Sequence, residues 1–281
     1  MSAPAQTVPG PGHSGVPALR TTKPVPVISD TVRSEWTKMR TLRSTKVTLA
    51  ITAALVIGLS ALITWASVAS PHHGTAEITN PVGVIQSGWG LGWLAFEVLG
   101  VLVVSNEYSS GMIASTFLAT PKRVRVLAAK GAVLSVVVGL VSLVMTFINF
   151  YVGRAVLSAY PAFKDPALTD HNVVRAVLGM ALTSTLMALV GFSVGAIVRH
   201  TAGAITASVA VLFVLPLVLE ALPTSWRNPV EEYWPTQAGS QLEEVKRQAH
   251  ALTAWWGTGD LALFVALLLV AAGYLAVRRD V

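Results

Sequence analysis

Val47-Thr-Leu-Ala-Ile-Thr-Ala-Ala-Leu-Val-Ile-Gly-Leu-Ser-Ala-Leu-Ile-Thr-Trp-Ala-Ser-Val-Ala69 holds no charged residue, and none follows until Glu77. A helix needs about 20 mostly apolar residues to cross the hydrocarbon core of a bilayer. In lipid the backbone has no water partner, so such a run must be a helix or a barrel strand. The apolar residues here are continuous and do not alternate, which selects the helix. The stretch therefore reads as a membrane span over 47–69, ended by Pro71 and the His72-His73-Gly74 turn.

Working outward, the same pattern recurs. A second span is expected over 82–104, with one interrupting charge, Glu97. A third fits 131–153, between Lys130 and Arg154, and a fourth fits 175–198, up to Arg199. A fifth fits 201–221, closing around Glu220 and Pro223, and a sixth fits 260–277, up to Arg278. The expected fold is all-α: a polytopic integral membrane protein with about six transmembrane helices. Composition agrees, because only 12% of the 281 residues are charged and 53% are hydrophobic. A soluble domain carries roughly 25% charge, and a surface this poor in charge must face something other than water. Gly191-Phe-Ser-Val-Gly195 in the fourth span is a small-xxx-small step of the kind that lets helix backbones approach closely.

The basic residues orient the spans. Six spans put the N-terminus, the 2–3 loop, the 4–5 turn and the C-terminus on one side. That side holds 14 of the 20 Lys and Arg, and the other holds six. Cytoplasmic segments collect Lys and Arg, so both termini are expected in the cytoplasm and the chain in the plasma membrane. Trp226, Tyr233, Trp234, Trp255 and Trp256 flank spans five and six, where an outer interfacial belt would sit.

Between the spans lie shorter features. Residues 1–28 carry six of the 15 prolines and no apolar run, so a disordered tail with no cleaved leader is expected. An interfacial helix is expected over 29–45, capped by Ser29 or Asp30. Its apolar face is Ile28, Val32, Trp36 and Met39, and Arg33, Lys38, Arg40 and Arg43 anchor it at the inner headgroups. Residues 105–121 form the one sizeable loop between spans on that side, helical over 112–119 and stopped by Pro121. Lys122, Arg123 and Arg125 then hold the next span at the membrane surface. In the external segment 223–258, Ala238, Leu242, Val245, Ala249 and Leu252 fall at helical spacing and predict a short amphipathic helix, either on the outer membrane surface or dipping into it, or equally a soluble cap helix packed on the bundle.

Motifs for chemistry are absent. There is no Gly-x-x-x-x-Gly-Lys-Ser/Thr, so ATP hydrolysis by this chain alone is not expected. There is no His-Glu-x-x-His and no Gly-x-Ser-x-Gly, and the six histidines all lie outside the expected spans, so no metal site is expected. The absence of cysteine excludes disulfides and thiolate ligands. Glu97 stands out, because a charge within a span is expensive and marks a candidate pathway residue. The net charge of +6 reads as topology, with no nucleic-acid partner expected.

Two segments carry a family resemblance. One is Val32-Arg-Ser-Glu-Trp-Thr-Lys-Met-Arg-Thr-Leu-Arg-Ser-Thr45, and the other is Asn106-Glu-Tyr-Ser-Ser-Gly-Met-Ile-Ala-Ser-Thr-Phe-Leu-Ala-Thr-Pro-Lys-Arg123, followed by Val-Leu-Ala-Ala-Lys130. With the order of the spans over 29–281, they resemble the membrane subunit of ABC-2-type ABC transporters, in the form common in actinobacteria. The resemblance implies that 105–121 is a coupling element seated in a separate ATP-binding subunit, with Glu107, Tyr108, Gly111 and Met112 at its start and Pro121, Lys122 and Arg123 at its end. It implies ATP and Mg in that partner and no cofactor in this chain. It also implies a second permease copy, identical or a sister, and export of drugs, lipids or antibiotics. The alternatives are an ion-coupled secondary transporter and a non-catalytic membrane scaffold. A membrane-embedded enzyme ranks last, for want of paired carboxylates, paired histidines or a nucleophile motif.

Overall fold

The computed structural model describes residues 28–69, 80–109, 111, 123–159, 166–245 and 251–278. Every regular element among them is helical. Helix α1 (Ile28–Thr41) leads into α2 (Arg43–Ala69) with a break at Leu42, so the interfacial helix ends four residues before the expected 29–45 does. A short α3 (Pro81–Ile85) precedes α4 (Trp89–Ser109), and α5 (Arg123–Ser158) and α6 (His171–Val198) follow. Helix α7 (Thr201–Leu219) carries a π turn at Ala210–Val214. Two short helices, α8 (Thr224–Glu232) and α9 (Pro235–Ser240), come before α10 (Ala254–Arg278).

Six of these helices, α2, α4, α5, α6, α7 and α10, are long and apolar enough to cross a membrane. The chain is an all-α polytopic membrane protein. The second span is displaced towards the C-terminus of its expected 82–104, because α3 ends at Ile85 and three turn residues separate it from Trp89. The third span overruns its charge-free run at both ends, from Arg123 to Ser158. Charged residues sit comfortably on helix that projects past the hydrocarbon.

Helix α6 is the hub, with 61% of its most apolar window buried inside the protein, against 17% for α7. It packs most closely on α4. A Cβ at Gly100 would overlap the Ala188 carbonyl, and one at Gly191 would overlap the Glu97 carbonyl. Only glycine at both positions lets the two backbones touch, and Gly195 meets Val101 one turn on. The Gly191–Gly195 step is thus the α6 face of this contact. Phe96, Leu99, Leu134, Val138 and Phe192 fill the space around it.

At one end of the bundle, α8 and α9 close over the helices, and Trp226, Tyr233, Trp255 and Trp256 stand exposed around them. The expected amphipathic helix over 238–252 is not a single helix among the described residues. Helix α9 stops at Ser240, and Gln241, Leu242 and Glu243 turn into the bundle and are buried. Leu242 packs on Gly179, and the Thr183 hydroxyl donates to the Gly239 carbonyl at 3.2 Å. The apolar period that suggested a helix instead supplies the residues that dip. Arg175 ties the segment down by donating to the Glu244 carbonyl at 2.7 Å, and Asn80 donates to its carboxylate at 2.9 Å.

Candidate functional site

At the opposite end, α1 lies against α5 and the start of α2. Its buried residues are Thr31, Glu35 and Met39, at i, i+4 and i+8. Ile28, Val32 and Trp36, three of the four residues expected on its apolar face, are exposed. Helix α1 is therefore turned so that a carboxylate, not the apolar stripe, enters the bundle, and the stripe is left for lipid.

The reason is a buried ion cluster. Lys130 of α5, 3% exposed, places its Nζ 2.6 Å from Glu35 Oε2 and 2.6 Å from Glu107 Oε1. Lys38 of α1 reaches the same two carboxylates, at 2.9 Å from Glu35 Oε1 and 3.0 Å from Glu107 Oε1. Two acids and two bases from α1, α4 and α5 thus share one site. Burial would pull the Lys38 pKa down, but the hydrogen bonds and charges of Glu35 and Glu107 outweigh it and hold that lysine above its ordinary value. A buried charge whose partner is removed costs several kcal/mol, typically about 3–5. The cluster therefore fixes the relative position of three helices.

Tyr108, the next residue on α4, links the cluster to the rest of this end. The Arg199 guanidinium lies over its ring, 5.2 Å from the centroid. Arg199 also donates to the Leu275 carbonyl of α10 at 3.2 Å, and Arg123 of α5 donates to the neighbouring Ala276 carbonyl at 3.3 Å. Arg199 closes α6 in a left-handed conformation, with φ of 60°, at a cost of roughly 1–2 kcal/mol for a residue with a Cβ. The Thr201 hydroxyl donates to Ser105 at 3.0 Å. The last turn of α4 is thus bonded to α1, α5, the α6–α7 corner and α7. A cavity of about 260 Å³ opens beside the cluster, with Met39, Leu42, Leu99, Leu102 and Val103 on its apolar wall.

The expected site residues fall into three groups. Glu107 and Tyr108 are in this constellation, and Gly111 follows with φ of 70°, a turn conformation that glycine adopts freely. Met112 and Lys122 lie outside the described residues, as does most of the expected coupling segment. Arg33, Arg40, Arg43 and Arg125 are exposed at this end, where headgroup anchoring would need them. Lys38 and Arg123 depart from the anchoring expectation. Each bonds to the protein itself, because a carboxylate pair and a helix C-terminal carbonyl lie within reach. Glu97 is elsewhere, fully buried between α4, α6 and α7.

Sequence reasoning missed Glu35, Lys130 and Arg199 as site members. One signal for Glu35 was present: it lies four residues before Met39, on the same helix face. Among the described residues no group of His, Cys, Asp or Glu could hold a metal ion. The chain matches no known protein-family model and no curated protein.

Proposed function

We propose that the chain is the permease subunit of an ATP-driven transporter of the ABC-2 type. It forms the solute pathway, works as an exporter, and takes its energy from a separate ATP-binding subunit. In this reading it sits in the plasma membrane with the α1 end and both termini in the cytoplasm, and pairs with a second permease. The observation that supports it is the bonding of Glu107 and Tyr108. These residues end α4 immediately before the segment that would meet the ATPase, and they are joined to α1, α5 and the α6–α7 corner. A push delivered at 105–121 would reach those helices together, not α4 alone.

The test is reconstitution. An ATP-binding subunit of the ABC type is co-purified with it, and ATPase rate and ATP-dependent export from vesicles are measured. Glu107→Gln and Gly111→Val should lower stimulation of the ATPase with the complex still assembled. Failure to assemble, with both variants inert, would sink the proposal. Transport that follows an ion gradient and ignores ATP depletion would replace it with a secondary transporter.

A further inference from the structure

Glu97 lies midway along α4 and is 0% exposed. Neither carboxyl oxygen has a hydrogen-bond partner of good geometry among the described residues. Ser208 of α7 is the polar side chain that reaches it. The Ser208 hydroxyl also lies 3.3 Å from the Ile205 carbonyl, within α7. This hydroxyl can turn to either acceptor, so at most one shared donor, and no cation, is within reach of the carboxyl.

No counter-charge approaches among the described residues of the six spans. Helix α6 is free of charge between Arg175 and Arg199, α7 carries none, α2 carries none beyond Lys46, and α5 none between Lys130 and Arg154. On α10, the interval between Asp260 and Arg278 is likewise free. On α4 itself the next charge is Glu107, ten residues or about 15 Å along the helix. An ionised carboxylate in this place would have no cation and, at most, the one shared Ser208 hydroxyl as donor.

The helix that covers Glu97 is the least buried of the six spans, and it is irregular just after Ser208. Pro216 has no N–H for the Leu212 carbonyl, and its ring crowds that turn. The chain responds with a π turn: the Leu215 N–H bonds back to Ala210, five residues earlier. The Thr236 hydroxyl takes up the Leu212 carbonyl at 3.4 Å. Such turns are where a helix bends or opens.

We infer that Glu97 is a proton-binding site gated by α7. While α7 is packed, Glu97 stays a neutral carboxylic acid. When α7 parts from α4 at the π turn and water enters, the acid releases its proton to that water and becomes a carboxylate. The carboxylate in turn resists repacking until it is reprotonated. The ligand is a proton, since Glu97 is 0% exposed and no further oxygen ligand for a metal cation is bonded to its carboxyl among the described residues. The inference rests on the pathway reading only for its role in transport. Proton binding needs neither ATP nor a partner, so it succeeds or fails separately from the reconstitution test.

The experiment uses the full chain in lipid nanodiscs. The infrared difference between wild type and E97Q at neutral pH should contain the C=O stretch of a protonated carboxylic acid in an apolar setting. A carboxylate doublet in its place would overturn the inference. Dicyclohexylcarbodiimide, which attacks protonated carboxyls in apolar surroundings, should label Glu97 of the wild type, mapped by peptide mass spectrometry. Labelling should fall about tenfold per pH unit once the group titrates. No labelling at any pH, or labelling that ignores pH, would overturn the inference even if E97Q failed to fold.

Discussion

Lys130 and Glu35 stand 95 residues apart in the chain and 2.6 Å apart in space, as a buried ion pair between α5 and α1. Glu107 shares the same ammonium. Replacing Lys130 by Met should therefore leave two carboxylates near each other with only the half-exposed Lys38 between them. A loss of about 3–5 kcal/mol is expected, read as a lower melting temperature in detergent. Glu35→Gln should cost less, because Lys130 keeps Glu107. The double variant Glu35→Leu/Lys130→Met should recover part of the loss, which a simple packing defect would not.

Arg199 offers a sign test. Its left-handed backbone is strained, yet its side chain holds Tyr108 and the end of α10. Arg199→Ala keeps the strain and loses the contacts. Arg199→Gly loses the contacts but relieves the strain, by roughly 1–2 kcal/mol. The glycine variant should thus melt above the alanine variant. The reverse order would show that the backbone conformation carries no cost.

Gly100 and Gly191 cannot accept a side chain without moving α4 away from α6. Alanine at either position should destabilise by about 1–3 kcal/mol or more, the cost of overpacking. Alanine at Gly58 or Gly273, where a Cβ meets nothing within 4 Å, should be tolerated. Thermal unfolding of the four variants side by side checks the contrast.

Glu243 predicts a pH dependence. Burial raises its pKa well above the ordinary 4.5, the Thr183 hydroxyl lowers it, and the nearby Glu244 raises it further. Its proton is therefore bound more tightly folded than unfolded. The associated stability is fully present below the ordinary carboxylate range and is lost as pH rises through the raised native value. Glu243→Gln stays neutral throughout. It should match the wild type in acid and exceed it in mildly alkaline buffer, as melting curves across pH would show.

The six spans were legible because a charge-free run is a local property, and the bilayer imposes its length on it. The break between α1 and α2 at Leu42 was not, because nothing in Leu42-Arg-Ser-Thr45 stops a helix. Helix α1 itself was legible, but not its rotation. Its hydrophobic stripe took in Ile28, Val32, Trp36 and Met39, whereas the buried face of Thr31, Glu35 and Met39 lies about 60° round the helix, where Glu35 meets Lys130. That pairing depends on a partner far away in sequence. Glu107 and Tyr108 could be found by resemblance, but their bonds to α1 and to the α6–α7 corner could not. In the segment after α9, Leu242 obeyed helical spacing for a different reason: it fills the hollow over Gly179. Periodicity records which residues avoid water and leaves open which backbone carries them.

The ion cluster holds two acids and two bases, so its formal charge is zero. A single charge moved through a membrane potential gains or loses about 2.3 kcal/mol per 100 mV. A neutral body gains nothing. If the ends of α1, α4 and α5 shift together, the voltage across the membrane does no work on the cluster at their centre, in either direction. Lys130→Met would end that indifference by leaving a surplus negative charge, and the same motion would then become sensitive to membrane potential.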